Sequence, residues 1–131
     1  MISLVLDHHR IDAAITTDGG DFVSAASVEA PKGDYRDWLL AARDLVGELD
    51  APAAMPVAVA VPAIINEGRA SFSALEPLSG CDLRRDLQST LGRKVRCFDF
   101  GDCLAASQAR TLPIGDTVIA LWVGQSCHGG V

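Results

Sequence analysis

Short apolar runs separated by turn residues predict strands in the first third of the chain. The runs cover residues 2–6, 11–17 and 22–28. Residues 7–10 and the turn-forming pair Asp18-Gly19 connect them, and neither connection can hold a helix. Because connections this short force neighbouring strands to run antiparallel, this part of the chain is predicted to be a three-stranded antiparallel sheet.

Two later segments repeat apolar residues at steps of three and four, which is the period of a helix. The first covers residues 34–49, with Asp34 as a suitable N-cap and Trp38 as an expected core anchor. In the second, Asp82 precedes three leucines in helical register and Gly92 follows as the stop signal. We therefore predict two amphipathic helices, each with one buried face.

The segments between and after these helices predict further strands. Residues 57–61 form a continuous apolar run, which is typical of a parallel strand covered on both faces. Two short extended segments follow within residues 64–73, around a turn at residues 66–68. Residues 95–98 predict another buried strand, and residues 117–123 predict a last one.

A helix of small residues is predicted to start near Gly101-Asp102 and to stop before Pro113. The complete order is three antiparallel strands followed by alternating helices and strands. This order predicts an α/β fold, namely a mixed sheet in which antiparallel strands precede parallel ones, with helices on its faces. Residues 1–131 are expected to form a single domain.

Composition narrows the classes of function. The chain is 49% hydrophobic and 21% charged, which is typical of a globular protein. A net charge of −6 without any run of basic residues argues against nucleic acid and anionic membranes as partners. The amino terminus lacks the pattern of a signal peptide, and the 4 cysteines show no C-x-x-C spacing. We expect a cytoplasmic protein without a metal site.

The junction between the strand at residues 95–98 and the following helix carries the best candidate for chemistry. Ligands of α/β proteins bind beyond the carboxyl ends of strands, where helices begin. A carboxylate at a helix amino terminus stays ionised and can orient a hydroxyl group. Asp102 is the stronger candidate, and Asp99, which lies inside the strand run, is the weaker one. Asp102 could also be a simple helix cap, and the residues leave both interpretations open.

Four segments match, in order and spacing, the motifs of one enzyme family. Leu6-Asp7 is similar to the start of D-x-G-G-T, and residues 57–63 are similar to V-G-V-x-V-P-G. Gly101-Asp102 and the alanines after it are similar to N-D-A-N-A-A-A, and residues 124–131 to G-T-G-I-G-G-G-V. The chain thus resembles the amino-terminal lobe of ROK-family sugar kinases, in the sugar kinase/actin-like ATPase superfamily. The resemblance implies one ribonuclease-H-like half of that fold.

The resemblance also implies roles for individual residues. Asp102 corresponds to the general base that takes a proton from a sugar hydroxyl, and Gly101 and Ala63 correspond to its neighbours in the sugar site. ATP and Mg²⁺ are the implied cofactors, and the family's zinc cluster has no counterpart here. The implied nucleotide-binding positions are Asp7, Gly124, Gln125, Ser126 and Gly129. The family's second lobe would follow the glycines at which this chain ends.

Several family positions are changed in this sequence. His9-Arg10-Ile11 replaces the glycines and the hydroxyl of the first phosphate loop, although Arg10 could still contact a phosphate as a charge. Gly101 stands in place of an asparagine, Ala63 in place of a glycine, and residues 73–78 lack the family's sugar-binding asparagine and tryptophan.

Two interpretations follow from this mixture of matches and changes. The first is the amino-terminal lobe of a hexose kinase, which we expect to be inactive as an isolated chain because closure needs both lobes. The alternative is a non-catalytic ROK-like module for sugar sensing or protein contacts. A small sugar is the expected partner in the kinase interpretation, and a homodimer through an exposed strand edge is a further possibility.

Overall fold

A mixed sheet of five strands lies at the centre of the computed structural model, which describes residues 1–113, 117–123 and 127–131. The strands are β1 (Ile2–Leu6), β2 (Arg10–Thr16), β3 (Phe22–Glu29), β4 (Val57–Val61), β5 (Ala63–Asn66), β6 (Arg69–Ser73), β7 (Val95–Asp99), β8 (Ala120–Val123) and β9 (Cys127–Gly130). The helices are α1 (Tyr35–Glu48), α2 (Leu83–Leu91) and α3 (Phe100–Ala109), with a short 3₁₀ helix at Glu76–Leu78. The main sheet has the order β3-β2-β1-β4-β7.

The strand directions confirm the predicted fold class. β1, β2 and β3 pair antiparallel, whereas β4 lies parallel to β1 and β7 lies parallel to β4. The parallel pairs place the carboxyl ends of β1, β4 and β7 at the same end of the sheet. The sequence predicts the functional residues at this end.

The core lies between one face of the sheet and the helices α1 and α2. Alternate side chains of β1 and β4 point into it, and Trp38 of α1 is buried there as expected. Asp34 caps α1 by accepting hydrogen bonds from two backbone amides of the first turn. Asp82 caps α2, and Gly92 ends it with φ 63°, in the left-handed region that favours glycine. Both predicted helices are therefore confirmed within one residue at each end.

The prediction that residues 57–61 are covered on both faces is wrong, and residues 95–98 are not the fully buried strand that the sequence predicts. Val57, Val59 and Val61 are buried on the core face, but the alanines between them are only half-buried. In β7, Val95 is buried while Arg96 and Phe98 are exposed. The physical reason is that β7 is an edge strand and that α3 covers only part of the outer face of the sheet.

The remaining strands form two hairpins outside the main sheet. β5 and β6 join through the predicted turn, in which Glu67 has φ 51° and Gly68 has φ 90°. β8 pairs antiparallel with β9 and packs against α3. The last predicted strand is thus shorter than expected, because it starts at Ala120 rather than Thr117, and it belongs to a separate hairpin.

None of the helices in the described ranges has the length and apolar character that a membrane crossing requires.

The backbones of α3 and β9 touch at a pair of glycines. A methyl group at Gly101 would meet the carbonyl of Gly129 and the amide nitrogen of Gly130, and a methyl group at Gly130 would meet the Gly101 carbonyl. Only residues without a side chain permit backbones to approach so closely. The start of α3 is therefore held by direct backbone packing against β9.

We predict that Gly101→Ala lowers the free energy of unfolding by about 1–3 kcal/mol, because the added methyl group overpacks this contact. Gly47→Ala is the matched control, since Gly47 of α1 has open space around it. The control is expected to be neutral or to stabilise by up to about 1 kcal/mol. Urea unfolding of both variants measures the difference, and equal midpoints for Gly101→Ala and the unmodified chain would contradict the close packing.

Candidate functional site

The candidate site lies at the end of the sheet where the parallel strands β1, β4 and β7 terminate. The register aligns Val5 of β1 with Ala60 of β4, and Val61 of β4 with Asp99 of β7. Asp7 and Ala63 follow the ends of β1 and β4 within two residues, so both lie at the same end of the sheet as Asp99. The predicted site residues that follow or end these three strands therefore share the carboxyl end of the sheet.

Asp99 is the cap of α3. Its Oδ1 accepts a hydrogen bond from the Gly101 backbone N–H at 2.6 Å, and its backbone is extended. The helix begins at Phe100, so Asp102 is the third helical residue. The interpretation of Asp102 as the helix cap is therefore wrong, because Asp99 already performs that role.

The carboxylate of Asp102 has no intramolecular partner among the described residues. In α1, Asp34 and Asp37 have the same spacing and close a capping box, in which Asp37 Oδ2 accepts the backbone N–H of Asp34 at 3.2 Å. In α3, only the half contributed by Asp99 is formed. Asp102 is exposed and still lies in the first turn, where the partial positive charge of the helix favours a carboxylate.

Asp102 lines a cavity of about 540 Å³ between α3 and the outer face of the sheet. The strand side is mostly apolar, with Val5, Ala60 and Phe98, and Arg110 is a second charged residue in the wall. This volume is within the range of small-molecule pockets, roughly 300–1,000 Å³. Asp102 is the carboxylate of this cavity, so it is placed to accept a proton or a hydrogen bond from a polar ligand.

The thiols near the site are poor candidates for nucleophiles. Burial raises the pKa of Cys103, and the negative charges of Asp102 and Asp99 raise it further. Burial also raises the pKa of Cys97 to about 12. Since the thiolate is the reactive form, both groups are protonated and unreactive at neutral pH. At the junction of β7 and α3, the groups that can accept a proton are therefore the carboxylates of Asp99 and Asp102.

Asp7 occupies a tight turn between β1 and β2. Its Oδ1 accepts the backbone N–H of His8 at 2.7 Å and lies 3.3 Å from His8 Nδ1, while its own N–H donates to the Arg10 carbonyl at 3.0 Å. The Asp7 side chain is 42% exposed. The carboxylate is therefore partly accessible at this end of the sheet.

Residues 9–11 do not form the glycine loop of the family. Ile11 is fully buried in the core and pairs with Leu6, so a hydroxyl at this position would face apolar groups. The guanidinium of Arg10 is already engaged, because its Nε donates to Asp12 Oδ2 at 2.8 Å. The backbone therefore does not provide the close, open approach that a phosphate group needs here.

Ala63 is buried at the start of β5, opposite Ser73 of β6. Ser73 is also buried, and its Oγ donates to the Pro62 carbonyl at 3.1 Å and accepts the Leu75 N–H at 3.1 Å. These bonds satisfy the hydroxyl internally.

The structure brings some of the predicted site residues together. Gly101, Asp102 and Gly129 meet where β9 packs on the start of α3, while Asp7 and Ala63 lie on neighbouring strand ends. The predicted positions Gly124, Gln125 and Ser126 lie outside the described residues. The role of Asp99 was missed, although the D-x-x-D spacing that it shares with Asp34 and Asp37 could have revealed the cap.

A metal site is not evident within residues 1–113, 117–123 and 127–131. No group of three or more histidine, cysteine, aspartate or glutamate side chains in these ranges could hold an ion.

Comparisons with known proteins find similarity between this chain and sugar kinases. No family model matches the chain. The N-acetyl-D-glucosamine kinase of Haemophilus influenzae is 29% identical over 130 residues, which is 92% of this chain and 42% of that kinase. The chain thus spans less than half the length of the curated relatives it matches.

Solved structures share the fold at lower sequence identity. The inorganic polyphosphate/ATP-glucomannokinase of an Arthrobacter strain superposes with a TM-score of 0.88 at 22% identity, over 98% of this chain and 56% of that chain. The ROK glucokinase of Streptomyces griseus, solved with glucose and AMPPNP, gives a TM-score of 0.79 at 18% identity, over 99% of this chain and 43% of that chain. The resemblance to ROK-family sugar kinases and the actin-like ATPase fold are confirmed.

We predict that Asp99→Ala lowers the free energy of unfolding by about 1 kcal/mol, because it removes the cap of α3. Asp102→Ala is the matched control and is expected to cost clearly less, since it loses only the interaction with the helix dipole. Chemical unfolding with a fixed m-value measures both losses. A larger loss for Asp102→Ala would mean that Asp102, not Asp99, holds the start of the helix.

Proposed function

We propose that this chain is the amino-terminal part of an ATP-dependent hexose kinase in which Asp102 is the general base. The observation that carries the proposal is the unpartnered carboxylate of Asp102 in the first turn of α3, beside an open cavity. Asp37, at the same position of α1, instead closes a capping box. The similarity to sugar kinases supplies the class of reaction.

In the proposed mechanism, Asp102 accepts a hydrogen bond from one hydroxyl of the bound sugar and takes its proton as that oxygen becomes the nucleophile. ATP would supply the phosphoryl group that the oxygen receives, and ADP would be the leaving group. The carboxylate lies in the first turn of α3, where the partial positive charge of the helix favours a negative side chain. The bond from Asp99 to Gly101 and the backbone contact with β9 hold the first turn in position. Phosphoryl transfer depends mainly on such positioning, since there is little covalent work for the protein.

ATP and Mg²⁺ are proposed cofactors on the basis of similarity. Asp7 fits this role, because its carboxylate is partly exposed at the end of β1. Residues 9–11 do not fit a phosphate cradle, since Ile11 is in the core and Arg10 is bound to Asp12. We therefore derive no step of the reaction through the nucleotide, and the sugar is the ligand on which the proposal depends.

We predict that Asp102→Asn lowers kcat about 100- to 10,000-fold in an active two-part protein, because it removes the base. The assay uses this chain fused in place of the matching 42% of the Haemophilus influenzae kinase, with N-acetylglucosamine and glucose as substrates. The dissociation constant of the sugar, measured by calorimetry, is expected to change by less than about tenfold, since the hydroxyl still has a hydrogen-bonding partner.

Asp37→Asn is the control, since Asp37 is the third residue of α1 as Asp102 is of α3. It is expected to reduce stability without changing kcat. A fusion that phosphorylates sugars equally well with and without the Asp102→Asn substitution would refute the role of Asp102. A folded fusion that binds no sugar in calorimetry would refute the kinase proposal itself.

The second candidate function is a non-catalytic sugar-binding module. Burial of Ile11 and the ion pair between Arg10 and Asp12 favour it, because both occupy the region that a phosphate loop would need. In this case the fusion is expected to bind sugar but not to transfer a phosphoryl group from ATP to it.

We predict that replacing residues 9–11 with Gly-Gly-Thr distinguishes the two candidates. If the chain is a kinase limited by this loop, transfer from ATP increases, although the hydroxyl placed in the core at position 11 costs about 1–3 kcal/mol of stability. Ile11→Val, which costs about 0.5–1.5 kcal/mol without adding a hydroxyl, is the control for stability. Sugar binding without any gain in transfer by the folded triple variant would favour the non-catalytic module.

A further inference from the structure

A second cavity lies at the amino ends of β4 and β7, and Met1, Ala58 and Phe98 line both this cavity and the one beside Asp102. Its volume is about 860 Å³, and its wall includes the amino ends of β4 and β7 and one side of α2. The side chains that matter for its chemistry are Met1, Arg84, Gln88, Lys94, Arg96 and Phe98. Neither the sugar-kinase proposal nor the predicted site residues use this cavity, which we call the cationic groove.

The groove carries positive charge that the rest of the protein does not neutralise. Arg84, Lys94 and Arg96 line it without any carboxylate, although the chain has 17 acidic and 11 basic residues. Within the described part of the chain, these three exposed side chains form neither ion pairs nor hydrogen bonds. In contrast, Arg10, Arg43 and Arg85 each pair with an aspartate.

The local geometry explains why the charges converge. Arg84 and Gln88 are one helical turn apart, so they lie on the same side of α2. Lys94 and Arg96 are two residues apart along extended chain and point to the same side, roughly 7 Å from each other. Gly92 ends the helix with a left-handed turn that returns the chain directly to β7. Arg84 and Gln88 of α2 therefore border the same groove as Lys94 and Arg96.

The groove also offers a neutral donor and an apolar surface. Gln88 Oε1 accepts the backbone N–H of Val95 at 3.4 Å, which leaves the NH₂ group of Gln88 without a described partner. Phe98 is 39% exposed and Met1 is 53% exposed beside the cations. Two arginines with planar donor groups, a lysine and an amide favour oxygen anions with several charged groups.

We propose that the cationic groove binds a compact multivalent oxyanion, which carries either phosphate or carboxylate groups. Such a ligand would neutralise the three unpaired cations of one site at once. Arg84, Lys94 and Arg96 do not line the cavity of Asp102, so this proposal does not rest on the proposed kinase function.

The test is an NMR titration of the ¹⁵N-labelled chain with sodium tripolyphosphate and, separately, with citrate, in roughly 100 mM salt. We expect saturable shifts of the backbone amides of residues 84–88 and 94–98. Arg84→Gln and Arg96→Gln are each expected to raise the dissociation constant about tenfold, because each removes a charge-assisted hydrogen bond. Tighter binding of tripolyphosphate identifies phosphate as the recognised group, and tighter binding of citrate identifies carboxylate.

Arg36→Gln is the matched control, because Arg36 is an exposed arginine of α1 that does not line the groove. It changes the net charge equally and is expected to leave the dissociation constant within about twofold, as surface charges contribute little at a distance. Asp102→Asn is also expected to leave it unchanged. The proposal is overturned if neither anion gives saturable shifts up to about 10 mM. Equal weakening by Arg36→Gln and Arg96→Gln would also overturn it, because the attraction would then be diffuse.

Discussion

The hydrogen bond from the Gly101 amide to the Asp99 carboxylate determines the character of the candidate site. It fixes the start of α3 directly at the end of β7 and satisfies a backbone amide that would otherwise lack a partner. Asp99 supplies the cap, and the carboxylate of Asp102 in the same first turn has no partner among the described residues. The direct backbone contact of Gly101 with β9 then holds this turn in place. The proposed chemistry depends on these two roles: Asp99 caps the helix, and Asp102 is left to contact a ligand.

The sheet gives its two ends different chemical properties. The carboxyl ends of β1, β4 and β7 carry Asp7, Asp99 and Asp102, whereas the amino ends of β4 and β7 border the cationic groove. The core contributes little directly to either site, since its apolar side chains face α1 and α2. Its role is to hold the strands in register, so that residues far apart in the sequence meet at each end. Ile11, for example, is fully buried and belongs to the core rather than to either site.

Much of the fold was predictable because its signals are local. The helical stripe after Asp34 and the stop at Gly92 need no information beyond a few neighbouring residues. The exposure of Arg96 was not predictable, because edge position in a sheet depends on pairing across the whole chain. The contact between Gly101 and β9 is likewise long-range. At the site, the sequence pointed to Asp102, but the start of the helix had to be known before Asp99 was recognised as the cap.

A crystal structure of the fusion protein with bound hexose tests the central claim most directly. The account predicts that a sugar hydroxyl lies about 2.6–3.2 Å from a carboxylate oxygen of Asp102, while Asp99 still accepts the Gly101 N–H. It would be contradicted if Asp102 turned back to bind the Asp99 backbone, as Asp37 does with Asp34 in α1, and the sugar lay out of its reach.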